Sequence, residues 1–259
     1  FRSAQSADPA AQGSALTPSC YTRAMELTRT NSEMEELNKR LNDDRFLEEY
    51  KGPGDGYRPS LLPRLLGGLL VFCGDLFYGE KPSYLKFMAI EVIARVPYHS
   101  WSSAAYTILT LFYFNEKRAM ELSGVARYSA LAQENETMHV VVITSLARAE
   151  KHANPILHTA IPILFAFFYF WAVYWLYLIS PKWSHELNYV FEDHAFEQYD
   201  LFLRTRGEEL RKKKVESAFL TWYGRAPNDQ YEFFRSVRND EMIHRMSAFN
   251  SVQMLTKRP

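Results

Sequence analysis

The chain has 259 residues, 47% of them hydrophobic and 15% aromatic, which is enough apolar surface for a sizeable core and excludes disorder for most of its length. Thirty Lys plus Arg balance thirty Asp plus Glu, so no global field draws in nucleic acid, and any charge effect is local. Cys20 and Cys73 match no CxxC or zinc-ribbon spacing, which excludes a disulfide scaffold.

The sequence opens at Phe1 with a segment rich in Ala, Ser and Gln, read as an arm and as the stub left after removal of a transit peptide. Ser32 with Glu35 reads as a capping box opening a polar helix to about Tyr50, and the stretch from Lys51 to Gly56, with three glycines and a proline, stops it. That helix has little apolar face and is expected outside the main bundle, against a partner or a second copy. Residues 1–58 are therefore taken as an N-terminal arm with a polar helix, and 59–259 as the main domain.

From Leu61 the pattern changes. Leu62, Leu65, Leu66, Leu69, Leu70, Cys73, Leu76 and Phe77 recur at helical spacing and form one oily stripe. The stripe reads either as a core-facing helix or as one lying in the plane of a membrane, with Arg64 snorkelling. Between Lys151 and Lys182 no Asp, Glu, Lys or Arg occurs, and the run Ile161 to Ile179 is long enough to cross a hydrocarbon core. Pro162 near its start and its many aromatic residues suit packing in a bundle or at an interface better than a clean span. Arg211 to Lys214 reads equally as a headgroup contact or as a solvated helix end. No β-type alternation occurs, so the expected fold is all-α.

Two words carry metal chemistry: Asn135-Glu-Thr-Met-His139 and Asp240-Glu-Met-Ile-His244. In each, a glutamate precedes a histidine by three residues, so both side chains leave one helix face and can reach one metal centre. The amide or acid just before each glutamate can orient a ligand. Two further acids are required from two other helices. Glu91 stands alone in an apolar helix, where an ion pair with Arg95 is the plain alternative, and Glu192 lies in Tyr189-Val-Phe-Glu-Asp-His194.

The order Glu91, Glu136 with His139, Glu192, and Glu241 with His244 resembles the alternative oxidase superfamily of non-haem di-iron quinol oxidases. Ile90-Glu-Val-Ile-Ala-Arg-Val-Pro-Tyr98 and Phe191-Glu-Asp-His-Ala-Phe-Glu-Gln-Tyr-Asp200 resemble motifs of its plastid branch. The resemblance implies a four-helix di-iron carboxylate bundle with additional membrane-facing amphipathic helices, attached to one leaflet. It implies Glu91, Glu136, His139, Glu192, Glu241 and His244 as ligands of two irons, with Asn135 and Asp240 supporting them. Tyr199 matches the family tyrosine that supplies an electron and a proton to bound oxygen. Lys86 and His185 match quinol-pocket positions, although the family often has Arg where this chain has Lys86, a point charge in place of a planar fork.

The expected activity is oxidation of plastoquinol or ubiquinol with reduction of O2 to water. The expected place is the thylakoid membrane, or alternatively the mitochondrial inner membrane. Expected partners are lipid, the quinol and a possible second copy or larger membrane complex, with no nucleic acid. Two other readings compete: an oxidase-derived structural subunit of a larger membrane complex, and another di-iron oxygenase or desaturase. Cys20 falls where some mitochondrial members carry a regulatory cysteine.

Overall fold

A computed structural model describes residues 31–150 and 152–257; the arm before residue 31, including Cys20, lies outside the described residues. Polar side chains set where the helices start. Asp43 accepts from the Phe46 N–H, Ser83 from that of Lys86, Ser180 from that of Trp183, Ser217 from that of Leu220, and Asp229 from that of Glu232. Each satisfies an N–H that the first turn leaves without a helical partner.

The helices are α1 (Asn31–Arg40), α2 (Asp44–Lys51), α3 (Leu61–Tyr78), α4 (Tyr84–Ala94), α5 (Val96–Phe112), α6 (Glu116–Glu150), α7 (Ile161–Ile179), α8 (Pro181–Leu210), α9 (Ala218–Tyr223) and α10 (Gln230–Thr256). A π-helical turn, Ile156–Ala160, leads into α7. Among the described residues there is no strand, and the fold is all-α as expected.

Helix α10 packs along α8, α6 lies against α4 and α5, and α3 covers α8. One apolar cluster joins α4, α6, α8 and α10 through Phe87, Met138, Tyr199, Phe202, Phe233 and Phe234. A second joins α5, α6 and α7 through Tyr98, Trp101, Tyr128, Tyr169 and Val173. The four helices that carry the candidate ligands therefore meet between two aromatic layers.

The N-terminal polar helix departs from expectation in two ways. It breaks at Leu41 to Asp43, because Asp43 caps a new helix. It also lies within the fold: Met34, Leu41 and Leu47 are buried against Tyr189, Met242, Ile243 and Met246. Few apolar residues sufficed, because its polar residues also found buried partners. Glu35, read by its spacing as part of a capping box, accepts three hydrogen bonds from Arg225, of 3.2, 3.0 and 2.6 Å.

The oily stripe faces outward. Leu61, Leu65, Leu69, Phe72 and Leu76, spaced three or four apart, are each more than half exposed, while Pro63 and Gly67 are the buried residues of α3. Helix α7 likewise exposes Leu164, Phe168, Trp171 and Trp175 and buries Tyr169, Val173, Leu176 and Tyr177. By length and apolar composition both α3 and the stretch Ile156–Ile179 are long enough to cross a membrane; the sequence reading had singled out only the second.

Candidate metal centre

Four helices each aim acids at one point. Helix α4 buries residues on nearly every side, including Glu91; α6 brings Glu136 and His139 one turn apart, α8 brings Glu192, and α10 brings Glu241 and His244. All six side chains are at most 2% exposed. His139 Nδ1 lies 3.5 Å from Glu91 Oε2, 3.4 Å from Glu136 Oε2 and 3.3 Å from Glu241 Oε1. These four residues present ligand atoms all within 4.8 Å of one another.

Glu192 and His244 stand outside that tight group and adjoin it. His244 Nε2 is 3.2 Å from Glu136 Oε1, so Glu136 turns one oxygen toward each histidine. Glu192 Oε1 accepts from the Tyr98 hydroxyl at 2.7 Å and from Asn188 at 3.0 Å. The expected Glu91–Arg95 alternative is not what forms: Glu91 points inward, between Tyr199 and His139.

Whether this donor set suits a metal is tested by its hydrogen bonds. Glu91 Oε2, both oxygens of Glu136, His139 Nδ1, Glu192 Oε2 and both oxygens of Glu241 are buried with no hydrogen-bond partner. Orphaned buried carboxylate oxygens are expensive, and so many converging on one point is the arrangement a cation relieves. Hard carboxylates with imidazole suit iron or manganese, so the residues fit a di-iron centre.

Burial pushes the Glu136 and Glu241 carboxyls well up, and that of Glu192 to about 7, because charge is disfavoured there until a counter-charge arrives. Burial pushes the His244 imidazole down to about 3. For His139 burial acts the same way, but the Glu136 charge and the hydrogen bond to Asp240 outweigh it and hold the ring well up. Asp240 behaves oppositely: burial would raise it, and the Arg225 guanidinium holds it below the usual carboxylate range.

Asp240 and Asn135 lie beside the two histidines. Asp240 Oδ2 is 3.0 Å from His139 Nε2, which leaves Nδ1 facing the carboxylates when Nε2 carries the proton. Asn135 donates to Asp240 at 3.1 Å, and its oxygen lies 2.9 Å from His244 Nε2. The Tyr199 hydroxyl donates to Glu91 Oε1, and its ring stacks on Phe87 at 4.1 Å between centroids. Burial, then the Glu91 charge, raises the Tyr199 hydroxyl well above its ordinary value, so it holds its proton.

A cavity between α3, α4, α7 and α8 reaches this site; Cys73, Lys86, Glu91, His194, Gln198 and Tyr199 are among its lining residues. Lys86 is 1% exposed, and its ammonium meets Asp75 at 2.7 Å, the Glu80 carbonyl at 3.2 Å and Gln198 Oε1 at 3.2 Å. Its three N–H donors are thus all in use. His185 is not among the lining residues; it is buried against Trp101, 4.3 Å between ring centres, and Tyr177. The two residues assigned together from sequence are therefore separated.

Sequence reasoning missed Arg225, Asn38, Tyr98 and His194. Arg225 and Asn38 reach the site from distant segments and carry no local signal. Tyr98 and His194 stand inside quoted motifs, but Tyr98 lies on a different helix from Glu91 and His194 is two residues from Glu192, off its helical face, so spacing did not single them out.

Residues 69–251 match the model of the alternative oxidase family. The chain belongs to that family. Its similarity extends to ubiquinol oxidase 4, chloroplastic/chromoplastic, of Arabidopsis thaliana, 25% identical over 190 residues that cover 66% of this chain and 51% of the relative. Ubiquinol oxidase 1a, mitochondrial, of Arabidopsis thaliana is 28% identical over 178 residues, covering 66% of this chain and 46% of the relative. Alternative oxidase 3, mitochondrial, of Glycine max is 28% identical over 179 residues, covering 66% and 49%. The chain spans about half the length of the curated relatives it matches. The alternative oxidase match begins within α3 and ends within α10, so it contains all six candidate ligands and Tyr199 but leaves α1 and α2 outside.

Proposed function

We propose that this chain is a membrane-attached quinol oxidase with a di-iron centre, oxidising a quinol to the quinone and passing the electrons to O2 to form water. The observation that carries this reading is the set of buried carboxylate and imidazole atoms left without partners at the end of a cavity that Tyr199 and Glu91 line. Glu91, Glu136, Glu192 and Glu241 with His139 and His244 would hold two irons, which supply the redox chemistry of dioxygen reduction when bound. The names of two relatives, each a ubiquinol oxidase, support a quinol as the class of substrate. We favour plastoquinol and a thylakoid membrane on the plastid-like wording around Glu91 and Glu192, with ubiquinol and the mitochondrial inner membrane as the alternative.

The chain's own residues then have distinct tasks. Tyr199 keeps a proton on its hydroxyl and donates a hydrogen bond to Glu91; burial and the Glu91 charge hold that proton in place, so it leaves only together with an electron from the same side chain. Lys86 is committed to Asp75, Glu80 and Gln198, so it fixes the cavity wall, and His194, whose Nε2 has no partner, is the group left to meet a quinol hydroxyl. The cavity lies between α3 and α7, the two helices with outward apolar faces, so a lipid-phase quinol can enter without crossing water. Oxygen uptake by the purified protein with plastoquinol and ubiquinol analogues in the presence of cyanide, beside its iron content, tests the proposal. Cyanide-insensitive uptake at about two irons per chain is expected, as a carboxylate-bridged bundle holds. Iron-loaded protein with no uptake on either quinol would defeat it.

A further inference from the structure

A buried polar network ties α1 to both histidines of the cluster. Arg225, in the turn between α9 and α10 and 8% exposed, forks between two acids. Its Nη1 and Nη2 donate to Asp240 at 2.5 and 2.9 Å, and its Nε and Nη2 donate to Glu35 at 3.0 and 2.6 Å. One turn along α1 from Glu35, Asn38 donates to Asp240 Oδ1 at 2.6 Å and to the Ser236 carbonyl at 2.7 Å. Asp240 in turn holds His139, and Asn135 links Asp240 to His244.

Resting on the metal-centre reading above, we propose that α1 is a positioning element for that centre: Glu35 and Asn38, through Arg225 and Asp240, hold both imidazoles at the angle that faces the carboxylates. The geometry is demanding. An unconstrained aspartate on α10 could turn toward Arg225 alone, but the fork leaves Oδ2 shared among Nη1, Asn135 and His139, while Asn38 and Nη2 occupy Oδ1. Partners that orient a ligand set its affinity as the ligand itself does, and mutating them typically weakens metal binding by about 10–100-fold. Neither Glu35 nor Asn38 lies in the family-matched stretch, so this support comes from a segment outside the bundle common to the family.

A control is built into the same interface. Asn42 accepts from Asn239 at 3.0 Å, another amide contact between this segment and α10, but it does not touch Asp240. The full chain, Asn38→Ala, Glu35→Gln and Asn42→Ala would be loaded with iron, then challenged with a chelator while iron release is followed. The metal-free proteins would be melted separately. Asn38→Ala and Glu35→Gln are expected to release iron about 10–100-fold faster than wild type, and Asn42→Ala within about twofold of it, while the metal-free Tm falls more for Asn38→Ala, whose side chain is buried, than for Asn42→Ala, whose side chain is exposed. Equal release rates in Asn38→Ala and Asn42→Ala would overturn the proposal and return α1 to plain packing. Wild-type protein that takes up no iron would instead refute the metal centre on which it rests.

Discussion

Glu136 turns one oxygen toward His139 and the other toward His244, so it is the side chain through which the two halves of the cluster meet. Glu136→Ala is expected to lose most of the bound iron by elemental analysis, and full occupancy in that variant would remove Glu136 from the ligand set. Tyr199→Phe deletes one hydroxyl whose partner is Glu91 and leaves the stack on Phe87 intact. Iron content and Tm should hold while quinol-dependent oxygen uptake falls about 100-fold or more, the usual worth of a positioned proton donor; wild-type turnover would make Tyr199 a core residue. His185 adds a pH dependence of stability. Burial pushes its imidazole down to about 3, whereas an unfolded chain binds the proton near pH 6.5. The unfolded state therefore takes up a proton that the folded state refuses, and this contribution, present above about pH 6.5, is lost as pH falls toward 3. Chemical denaturation at pH 7 and pH 5 should show His185→Gln with a flatter decline than wild type, by up to about 1.4 kcal/mol per pH unit. Identical declines would mean that His185 titrates normally.

At the scale of helices, contact between α3 and α8 depends on a glycine. A Cβ on Gly67 would come within 2.6 Å of Val190 Cγ1, whereas one on its neighbour Gly68 meets nothing within 4 Å. Gly67→Ala should therefore push α3 off α8 and destabilise by about 1–3 kcal/mol, as overpacking does. Gly68→Ala should be neutral or stabilising by up to about 1 kcal/mol, since alanine is the better helix former. Urea titrations of the two variants decide it, and equal effects would show that α3 does not rest on α8 at this point. The same contrast marks what the sequence made legible. The Glu-x-x-His words could be read because the residues that act together lie one turn apart, and the stripe of α3 could be read because helical spacing is local. The Glu35–Arg225 pair is illegible for the complementary reason: the two residues lie 190 positions apart. His185 was grouped with Lys86 through its register to Glu192, but register along α8 does not say which wall of the bundle a side chain faces.

For the whole molecule, the question is how the apolar faces of α3 and α7 meet a membrane. The stretches are 18 and 24 residues long, or about 27 and 36 Å at 1.5 Å per residue, so length alone permits a crossing. Packing argues otherwise. Each helix is apolar and exposed on one side only; its other side rests on the bundle, α3 through Gly67 on α8 and α7 through Tyr169, Val173 and Leu176 on its neighbours. A crossing would carry the bundle into the hydrocarbon with it. Helices α6 and α8, which carry candidate ligands, expose Arg127, Glu134, Glu197 and Arg204, and each charge placed near the bilayer centre costs roughly 2.5–3.5 kcal/mol or more. Lying in one leaflet buries the same apolar faces and keeps those charges in water. Cysteines placed at His152 and Lys182, which flank the α7 segment, in a background of Cys20→Ser and Cys73→Ser, are therefore expected to react with a membrane-impermeant reagent from the same side of sealed vesicles. Brominated lipid should at the same time quench Trp171 and Trp175, both on the exposed face of α7. Labelling of the two positions from opposite sides would show that α7 spans, and the bundle would then need a different account of where its exposed charges lie.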